Sequence, residues 1–393
     1  MMQQGSTAPR FESLPAAPFY CGLVLTGVAT VLLGPILPIL SSRWSLTDVQ
    51  SGWLFTAQFS ASIFGSAISS YYPRKSVALG FASISAGLAL LAVGDYRTAL
   101  LAFVLIGAGI GAAVSAINLI FGTEYPERRG ALLTRVNLYW GIGAVLSPEF
   151  VALAARENAL RLYLLLLALG VLVAFAAFLP LLRRRSGDGL KREAPETRHL
   201  GVPVDLRVFV LFSVLLFLYI GAETTVAGWI ATYVHRLSGL SIERASLFVS
   251  AFWLSLVAGR GLVAVLLRVL PEQVVLLGGL AGAIAGVAAL LFPHAPAASF
   301  MAVIVAGLGC APIFPLSVSR MLARTGRTRH AGWVFAICGS GGAIVPWITG
   351  VISQYSGGLR AAFLAPLVAL VGILACVLIE QKMVRRESGL IQN

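Results

Sequence analysis

The chain has 393 residues, of which 58% are hydrophobic and only 11% are charged. A soluble domain keeps about 25% charged residues, so most of this surface must face lipid. A bilayer crossing needs about 20 apolar residues, which leaves room for about twelve spans and for no large soluble domain. The net charge of +13 comes from basic residues at the ends of apolar runs. This placement indicates a topology signal and predicts no nucleic-acid partner.

Apolar stretches predict an all-α polytopic membrane protein with twelve transmembrane helices in two pseudo-symmetric six-helix halves. A basic stretch that Gly and Pro interrupt separates the halves, so we predict an N-terminal bundle at 1–182, a linker at 183–207 and a C-terminal bundle at 208–393. The predicted spans are approximately Phe19–Leu40, Gly52–Tyr72, Ser76–Gly94, Thr98–Phe121, Ala131–Ala155, Leu160–Leu182, Val208–Val234, Ala245–Leu267, Val274–Phe292, Ala298–Leu322, Ala331–Gln354 and Ala361–Glu380.

The distribution of Lys and Arg predicts the orientation of these spans. The side that carries the termini and the linker holds 22 of the 29 basic residues, and the opposite side holds 7. Cytoplasmic loops carry the excess of basic residues. We therefore expect both termini in the cytoplasm of a cell whose inner (plasma) membrane the chain spans.

Glu223 lies near the middle of the seventh predicted span. A carboxylate at that depth is costly unless it faces a cavity, has a partner or is protonated, so such a residue is read first as a functional site. We predict that Glu223 binds the coupling proton. A protonated side chain that bonds only to neighbouring helices is the structural alternative.

Few other polar or aromatic side chains occur at membrane depth. Amides and aromatic rings suit a sugar, because hydroxyls need donors and acceptors while the C–H face stacks on a ring. Helix–helix hydrogen bonding, lipid contact and interface anchoring are the alternatives for these residues. The candidate substrate-binding residues are Gln58, Asn118, Asn137, Tyr139, Trp140, Tyr219, Trp253, Phe314 and Trp347.

Charged residues near the predicted cytoplasmic face are candidate gating elements. Arg260 is expected to extend to that face and to pair with Glu272 or a neighbouring loop. Glu124, Arg128 and Arg129 are expected to form salt bridges that open and close during the transport cycle.

Other chemistry has no support in the sequence. The four cysteines lie in apolar runs without metal-ligand spacing, and no Walker-type loop indicates ATP hydrolysis. No arrangement of catalytic residues stands out. We therefore expect no enzyme activity, no metal and no cofactor other than the coupling proton, with sodium left open as the coupling ion.

Twelve spans, repeated halves and a basic linker resemble the major facilitator superfamily over nearly the whole chain. The loop signature of that family after span two is degraded here, because Ser69 and Ser70 occupy the Asp and Arg positions while Gly65 and Arg74-Lys75 remain. Because of this departure we do not expect the usual cytoplasmic lock, and Arg260 with the Glu124 loop is expected to compensate.

Shorter motifs are similar to the fucose/glucose–proton symporter branch: Tyr219-Ile-Gly-Ala-Glu223, Gly228-Trp229, the Asn118 segment, Asn137-Leu-Tyr-Trp-Gly141-Ile-Gly143 and Pro312-Ile-Phe-Pro315. The resemblance implies hexose or deoxyhexose transport with protons. It also implies that Asn118, Asn137 and Glu223 face a central cavity. The acidic residue that this branch often carries in span one is missing, so Glu223 is expected to take over coupling.

The sequence thus predicts a monomeric secondary active transporter that takes up a small polar solute, a monosaccharide above all, by proton symport and alternating access. Its expected partners are the solute and the lipid bilayer. Two alternatives stay open. One is a proton-antiport drug or metabolite exporter of the same fold, and the other is a non-transporting membrane receptor.

Overall fold

A computed structural model describes residues 16–124, 129–184, 205–292, 295–325 and 331–391. Seven helices precede the predicted linker and form the first group in our description: α1 Ala16–Val31, α2 Leu33–Arg43, α3 Asp48–Ser69, α4 Pro73–Val93, α5 Tyr96–Glu124, α6 Arg129–Arg156 and α7 Leu160–Arg184. The end of the bundle where α7 ends is called the linker end, and the opposite end is called the distal end.

Eight helices follow and form the second group: α8 Leu206–Ser238, α9 Ile242–Leu266, α10 Glu272–Ala289, α11 Pro296–Cys310, α12 Ile313–Thr325, α13 Ala331–Tyr355, α14 Leu359–Ala362 and α15 Leu364–Ile391. Most of the predicted linker lies outside the described residues. The domain boundaries at 182/183 and 207/208 therefore stay a prediction.

The prediction of an all-α membrane protein is confirmed. Among the described residues, ten helices are long and apolar enough to cross a membrane, and the bent pair α1–α2 makes eleven. Helix α3 is a further element of 22 residues that packs against α5 and α13. Its hydropathy is lowered by polar side chains: Gln50 caps the first turn, and Ser51 and Gln58 are buried in the bundle. A count of twelve spans agrees with this architecture.

Two of the predicted spans are broken rather than continuous. The first span bends by 43° between α1 and α2, and the Gln58 carboxamide nitrogen donates to the Thr30 carbonyl just before that break at 3.0 Å. The tenth span is divided into α11 and α12 at Ala311-Pro312. There the Tyr219 hydroxyl donates to the Cys310 carbonyl at 3.3 Å. In lipid, polar groups at a break must find protein partners, and these side chains supply them.

Glycine allows unusually close packing of α3 against α5. A Cβ atom built at Gly107 would lie 1.9 Å from the Gln58 carbonyl oxygen, and one built at Gly111 would lie 2.0 Å from the Ser62 carbonyl oxygen. Small residues let helix backbones approach in this way in membranes. The contact fixes the position of α3, and with it the position of Gln58.

The two groups of helices meet along a seam formed by α3 with α13, α2 with α8, and α6 with α9. Toward the distal end of the seam, Gly52 and Gly350 approach backbone atoms of the other group, the Trp347 Cα atom and the Asp48 carbonyl oxygen. Closer to the linker end, Gly342 meets the side chain of Phe59 instead. The seam therefore differs in character along its length.

Substitution Gly107→Ala should destabilise the protein, because the new methyl group would overlap a backbone oxygen. Overpacking of this kind costs about 1–3 kcal/mol, more than the roughly 1 kcal/mol that helix propensity returns. The melting temperature of the purified protein in detergent should fall. Gly278→Ala is the matched control, because a Cβ there has no neighbour within 4 Å. An equal or higher melting temperature for Gly107→Ala would contradict the packing described here.

Candidate functional site

A cavity of about 190 Å³ lies between the two groups of helices. It is near mid-length of the helices that form it, since Glu223 is residue 18 of the 33 in α8 and Gln58 is residue 11 of the 22 in α3. Six helices contribute to its wall: α1, α2, α3, α6, α8 and α9. The lining residues are Thr30, Val31, Leu33, Gly34, Phe55, Gln58, Phe59, Trp140, Ile220, Glu223, Thr224, Ala227, Gly228 and Trp253.

Glu223 is the only ionisable residue in this lining. It is buried, with 8% of its surface exposed. Two polar side chains are within interaction range of the carboxylate. The Tyr219 side chain lies one turn earlier on α8, and the Arg260 guanidinium on α9 is within electrostatic range of the carboxylate but forms no ion pair with it. The carboxylate thus lines the cavity, with a hydroxyl and a more distant cation toward the linker end.

Three further predicted residues, Gln58, Trp140 and Trp253, also line the cavity. The rings of Trp140 and Trp253 meet edge to face, with centroids 5.6 Å apart and planes at 80°. Gln58 Oε1 and Trp253 Nε1 are buried polar atoms without a hydrogen-bond partner. An unpaired buried polar atom costs about 1–3 kcal/mol. A polar ligand that reached these atoms would recover that cost.

Asn118 and Asn137 lie outside the cavity, contrary to the expectation drawn from the resemblance. Each carboxamide nitrogen donates to the carbonyl four residues earlier in its own helix, Asn118 to Val114 and Asn137 to Leu133, both at 2.9 Å. Asn137 is exposed and Asn118 is half-buried. Both amides therefore make a local bond with their own helix, and their predicted role in binding has no support from the cavity geometry.

The remaining aromatic candidates also serve helix packing. Tyr219 is 1% exposed and contacts Phe314, with ring centroids 5.7 Å apart, beside the break in span ten. Tyr139 stacks on Tyr20 at 4.2 Å, where α6 packs on α1. Trp347 packs against Trp53 at 5.4 Å on the seam between α3 and α13. None of these four candidates is part of the cavity lining.

The predicted pairing of Arg260 with Glu272 is wrong. Glu272 accepts instead from Arg320 at 2.9 Å, and the same guanidinium binds Glu380 at 2.9 Å. These three residues lie together near the linker end, on α10, α12 and α15. Arg260 is seven residues after Trp253, so both side chains lie on nearly the same face of α9. That face directs Arg260 toward Glu223 and Tyr219.

The predicted gating loop lies largely beyond the part of the chain that the structure describes. Arg128 is outside the described residues. Glu124 ends α5 and Arg129 begins α6, and the structure describes only the backbone of these two residues. Their salt bridges stay a prediction.

Several lining residues were not candidates from the sequence. Thr30, Phe55, Phe59 and Thr224 all contribute to the cavity wall. Thr224 follows Glu223 directly, so its position could have been inferred from the periodicity of α8. The contribution of Thr30 depends on the break in the first span, which no sequence pattern located.

A larger groove of about 530 Å³ lies on the outer surface of α3 and α5. Its lining contains no ionisable Asp, Glu, Lys or Arg, and its members Trp53 and Phe64 are 45% and 70% exposed. Exposed apolar side chains of this size on a membrane protein face lipid. The smaller cavity is therefore the better candidate for a solute site.

Comparison with curated proteins finds relatives across most of the chain. A glucose/galactose transporter of Brucella abortus biovar 1 (strain 9-941) is 26% identical over 372 residues, which cover 87% of this chain and 88% of that protein. The Bypass of stop codon protein 6 of Saccharomyces cerevisiae is 23% identical over 383 residues, which cover 85% and 76%.

Solved structures share the fold at lower identity. A bacterial homologue of the human lysosomal transporter Spinster, in an inward-facing and occupied conformation, superposes with a TM-score of 0.76 at 15% identity, covering 93% of this chain and 96% of that one. The fucose:proton symporter FucP of E. coli superposes with a TM-score of 0.59 at 18% identity, covering 92% and 97%.

A family model identifies this architecture from sequence. The model of the Major Facilitator Superfamily matches residues 19–322, which extend from the first span into α12. The match covers more than half of the chain and agrees with the helical bundle and its central cavity. This chain belongs to the Major Facilitator Superfamily.

Proposed function

We propose that this protein takes up a monosaccharide together with a proton by alternating access of the central cavity. The observation that carries the proposal is the position of Glu223. It is the only ionisable residue of a small cavity that both groups of helices line. Transporters of this architecture bind their substrate near the midplane, between the halves.

The composition of the cavity suits a polyhydroxylated solute. Thr30, Gln58 and Thr224 offer hydroxyl and amide groups, and the indole rings of Trp140 and Trp253 offer flat apolar surfaces. Hydroxyls need donors and acceptors, while the C–H face of a sugar ring packs on an aromatic ring. This combination of groups favours a sugar over a purely apolar compound.

The size of the cavity favours a small substrate. Its volume of about 190 Å³ is below the roughly 300–1,000 Å³ of sites that hold drug-sized ligands. This difference argues against the proton-antiport exporter of drugs as the alternative. A non-transporting receptor does not need a carboxylate in a cavity between the two groups of helices, and such a carboxylate is costly.

Proton coupling follows from the cost of moving a charge through the bilayer. An ionised Glu223 needs the nearby Arg260 as a counter-charge, because an isolated carboxylate is expensive at this depth. Protonation removes the charge of Glu223 and weakens its attraction to Arg260. Binding of a proton to Glu223 thereby changes the attraction between α8 and α9. Coupling requires such a difference, because a ligand shifts a conformational equilibrium only if it interacts differently with the two conformations.

The relatives support the substrate class and the location. The Brucella relative is described as a glucose/galactose transporter and the structural neighbour FucP as a fucose:proton symporter. The excess of basic residues at the predicted linker side supports a plasma-membrane protein with both termini in the cytoplasm. Its small cavity within one chain supports a monomer as the functional unit.

Uptake by the reconstituted protein tests the proposed function. Proteoliposomes should accumulate radiolabelled glucose, galactose or fucose when an inward proton gradient is imposed. A sodium gradient of equal size, with no proton gradient, should give no accumulation. If none of the three sugars accumulates under either gradient, the sugar assignment is wrong.

Substitution Glu223→Gln should abolish accumulation driven by the gradient, because glutamine cannot bind and release a proton. Exchange of labelled for unlabelled sugar across the membrane should persist, since it needs no net proton movement. Glu149→Gln is the matched control, because Glu149 is exposed and outside the cavity. Accumulation by Glu223→Gln at the wild-type level would exclude this residue as the proton site.

Trp253→Phe should raise the KM for the sugar about tenfold, since a lost hydrogen bond of about 1.4 kcal/mol changes affinity by that factor. Gln58→Leu should raise it at least as much, because it also removes the bond to the Thr30 carbonyl at the break in the first span. Trp253→Phe keeps an aromatic ring and removes only the Nε1 donor. Asn118→Ala and Asn137→Ala should change KM less than threefold, because both side chains lie outside the cavity. A larger effect for the asparagines than for Gln58 would favour the site implied by the resemblance.

A further inference from the structure

A group of polar contacts joins the two groups of helices at the distal end. Asp48 is the first residue of α3, and its Oδ1 accepts from the Arg236 guanidinium at 2.6 Å. Its Oδ2 accepts from the Ser353 hydroxyl, also at 2.6 Å. One carboxylate of the first group therefore binds α8 and α13 of the second group at once.

The backbone of α3 takes part in the same contact. The Val49 amide donates to the Gln354 carboxamide oxygen at 3.3 Å. The first amides of a helix have no partner within the helix, and here α13 supplies one. A carboxylate is favoured at a helix N-terminus by the helix dipole, and Asp48 occupies that position in α3.

An apolar layer lies between these contacts and the cavity. Phe55, a lining residue, stacks on Trp229 with ring centroids 6.0 Å apart. Trp229 is fully buried, and its Nε1 donates to the Pro346 carbonyl at 3.1 Å, which holds the ring on the second group. Phe55 is seven residues after Asp48, so this layer is about 10 Å deeper than the polar contacts.

We infer that Asp48, Arg236 and Ser353 form a latch that closes the cavity toward the distal end, with Phe55 and Trp229 as the plug beneath it. The inference rests on the proposed function, because a latch matters only if the cavity opens to each side in turn. Three contacts must break when the two groups move apart at the distal end. Asp48 must separate from Arg236 and from Ser353, and the Val49 amide must separate from Gln354.

The polar contacts of the latch lie where water can replace them when it opens. Side chains of Asp48 and Arg236 are 13% and 37% exposed, so water can reach both groups as they separate. Bonds at such a position are exchanged for bonds to water at modest cost, whereas a fully buried ion pair would leave uncompensated charges. The latch residues thus lie where water is available, and the apolar plug of Phe55 and Trp229 lies deeper.

Accessibility of a cysteine in the cavity tests the latch. The reporter is Thr224→Cys in a background in which Cys21, Cys310, Cys338 and Cys376 are replaced by serine. A membrane-impermeant thiol reagent is added to one side of oriented vesicles. With the latch intact, the reporter should react slowly from the distal side. Asp48→Asn and Arg236→Gln should each raise that rate at least tenfold.

Two features separate an opened latch from a damaged protein. Reaction from the linker side should fall as reaction from the distal side rises, whereas a misfolded protein would react faster from both sides. The double variant Asp48→Asn/Arg236→Gln should react no faster than the faster single variant, because one contact is lost in all three. Arg156→Gln is the matched control, since Arg156 pairs with Glu157 in an exposed ion pair at the same end.

Three outcomes would contradict the inference that these residues form a latch. These are fast reaction of the unmodified reporter protein from the distal side, additive effects of the two substitutions, or an effect of Arg156→Gln as large as that of Asp48→Asn. The assay uses no substrate. The latch can therefore stand when every sugar fails in uptake, and it can fail when sugar uptake succeeds.

Discussion

A backbone carbonyl or amide inside a bilayer has no water to bind, so every irregularity in a membrane helix must be matched by a protein partner. Three backbone carbonyls in this bundle, two of them at helix breaks, accept from side chains of a neighbouring helix. Gln58 binds the Thr30 carbonyl at the break in the first span, Tyr219 binds the Cys310 carbonyl at the break in the tenth, and Trp229 binds the Pro346 carbonyl in α13. These bonds hold the bent helices around the cavity, and the shape of the cavity depends on them.

The same constraint explains why few polar side chains are left for a solute. Polar residues of the interior first satisfy the backbone, and a ligand can use only what remains. Gln58 shows both uses, because its amide nitrogen binds the first span while its oxygen has no partner. Glu223 stands apart, since a carboxylate cannot donate to a carbonyl unless it is protonated. This chemistry is why we propose a proton-binding role for Glu223.

The spans, the depth of Glu223 and the cavity position of Gln58, Trp140 and Trp253 could be predicted, because each follows from hydropathy or from the rarity of polar residues in apolar runs. The positions of Asn118 and Asn137 could not. An asparagine in a helix can bind the carbonyl of its own previous turn as readily as a solute, and the sequence does not distinguish these choices. The predicted pairing of Arg260 with Glu272 failed because Glu272 binds Arg320 instead. The partner of Glu272 depended on the fold of α12 and α15, which are distant in the sequence.

The change in glycine contacts along the seam bears on the mechanics of the bundle. Toward the distal end, Gly52 and Gly350 meet backbone atoms of the other group, while at the depth of the cavity Gly342 meets the ring of Phe59. A backbone contact cannot adapt to sliding, because the atoms on both sides are fixed by their helices. A side-chain contact can follow a sliding neighbour by a change of rotamer. The backbone contacts toward the distal end therefore resist sliding of one group past the other more than the side-chain contact at cavity depth does.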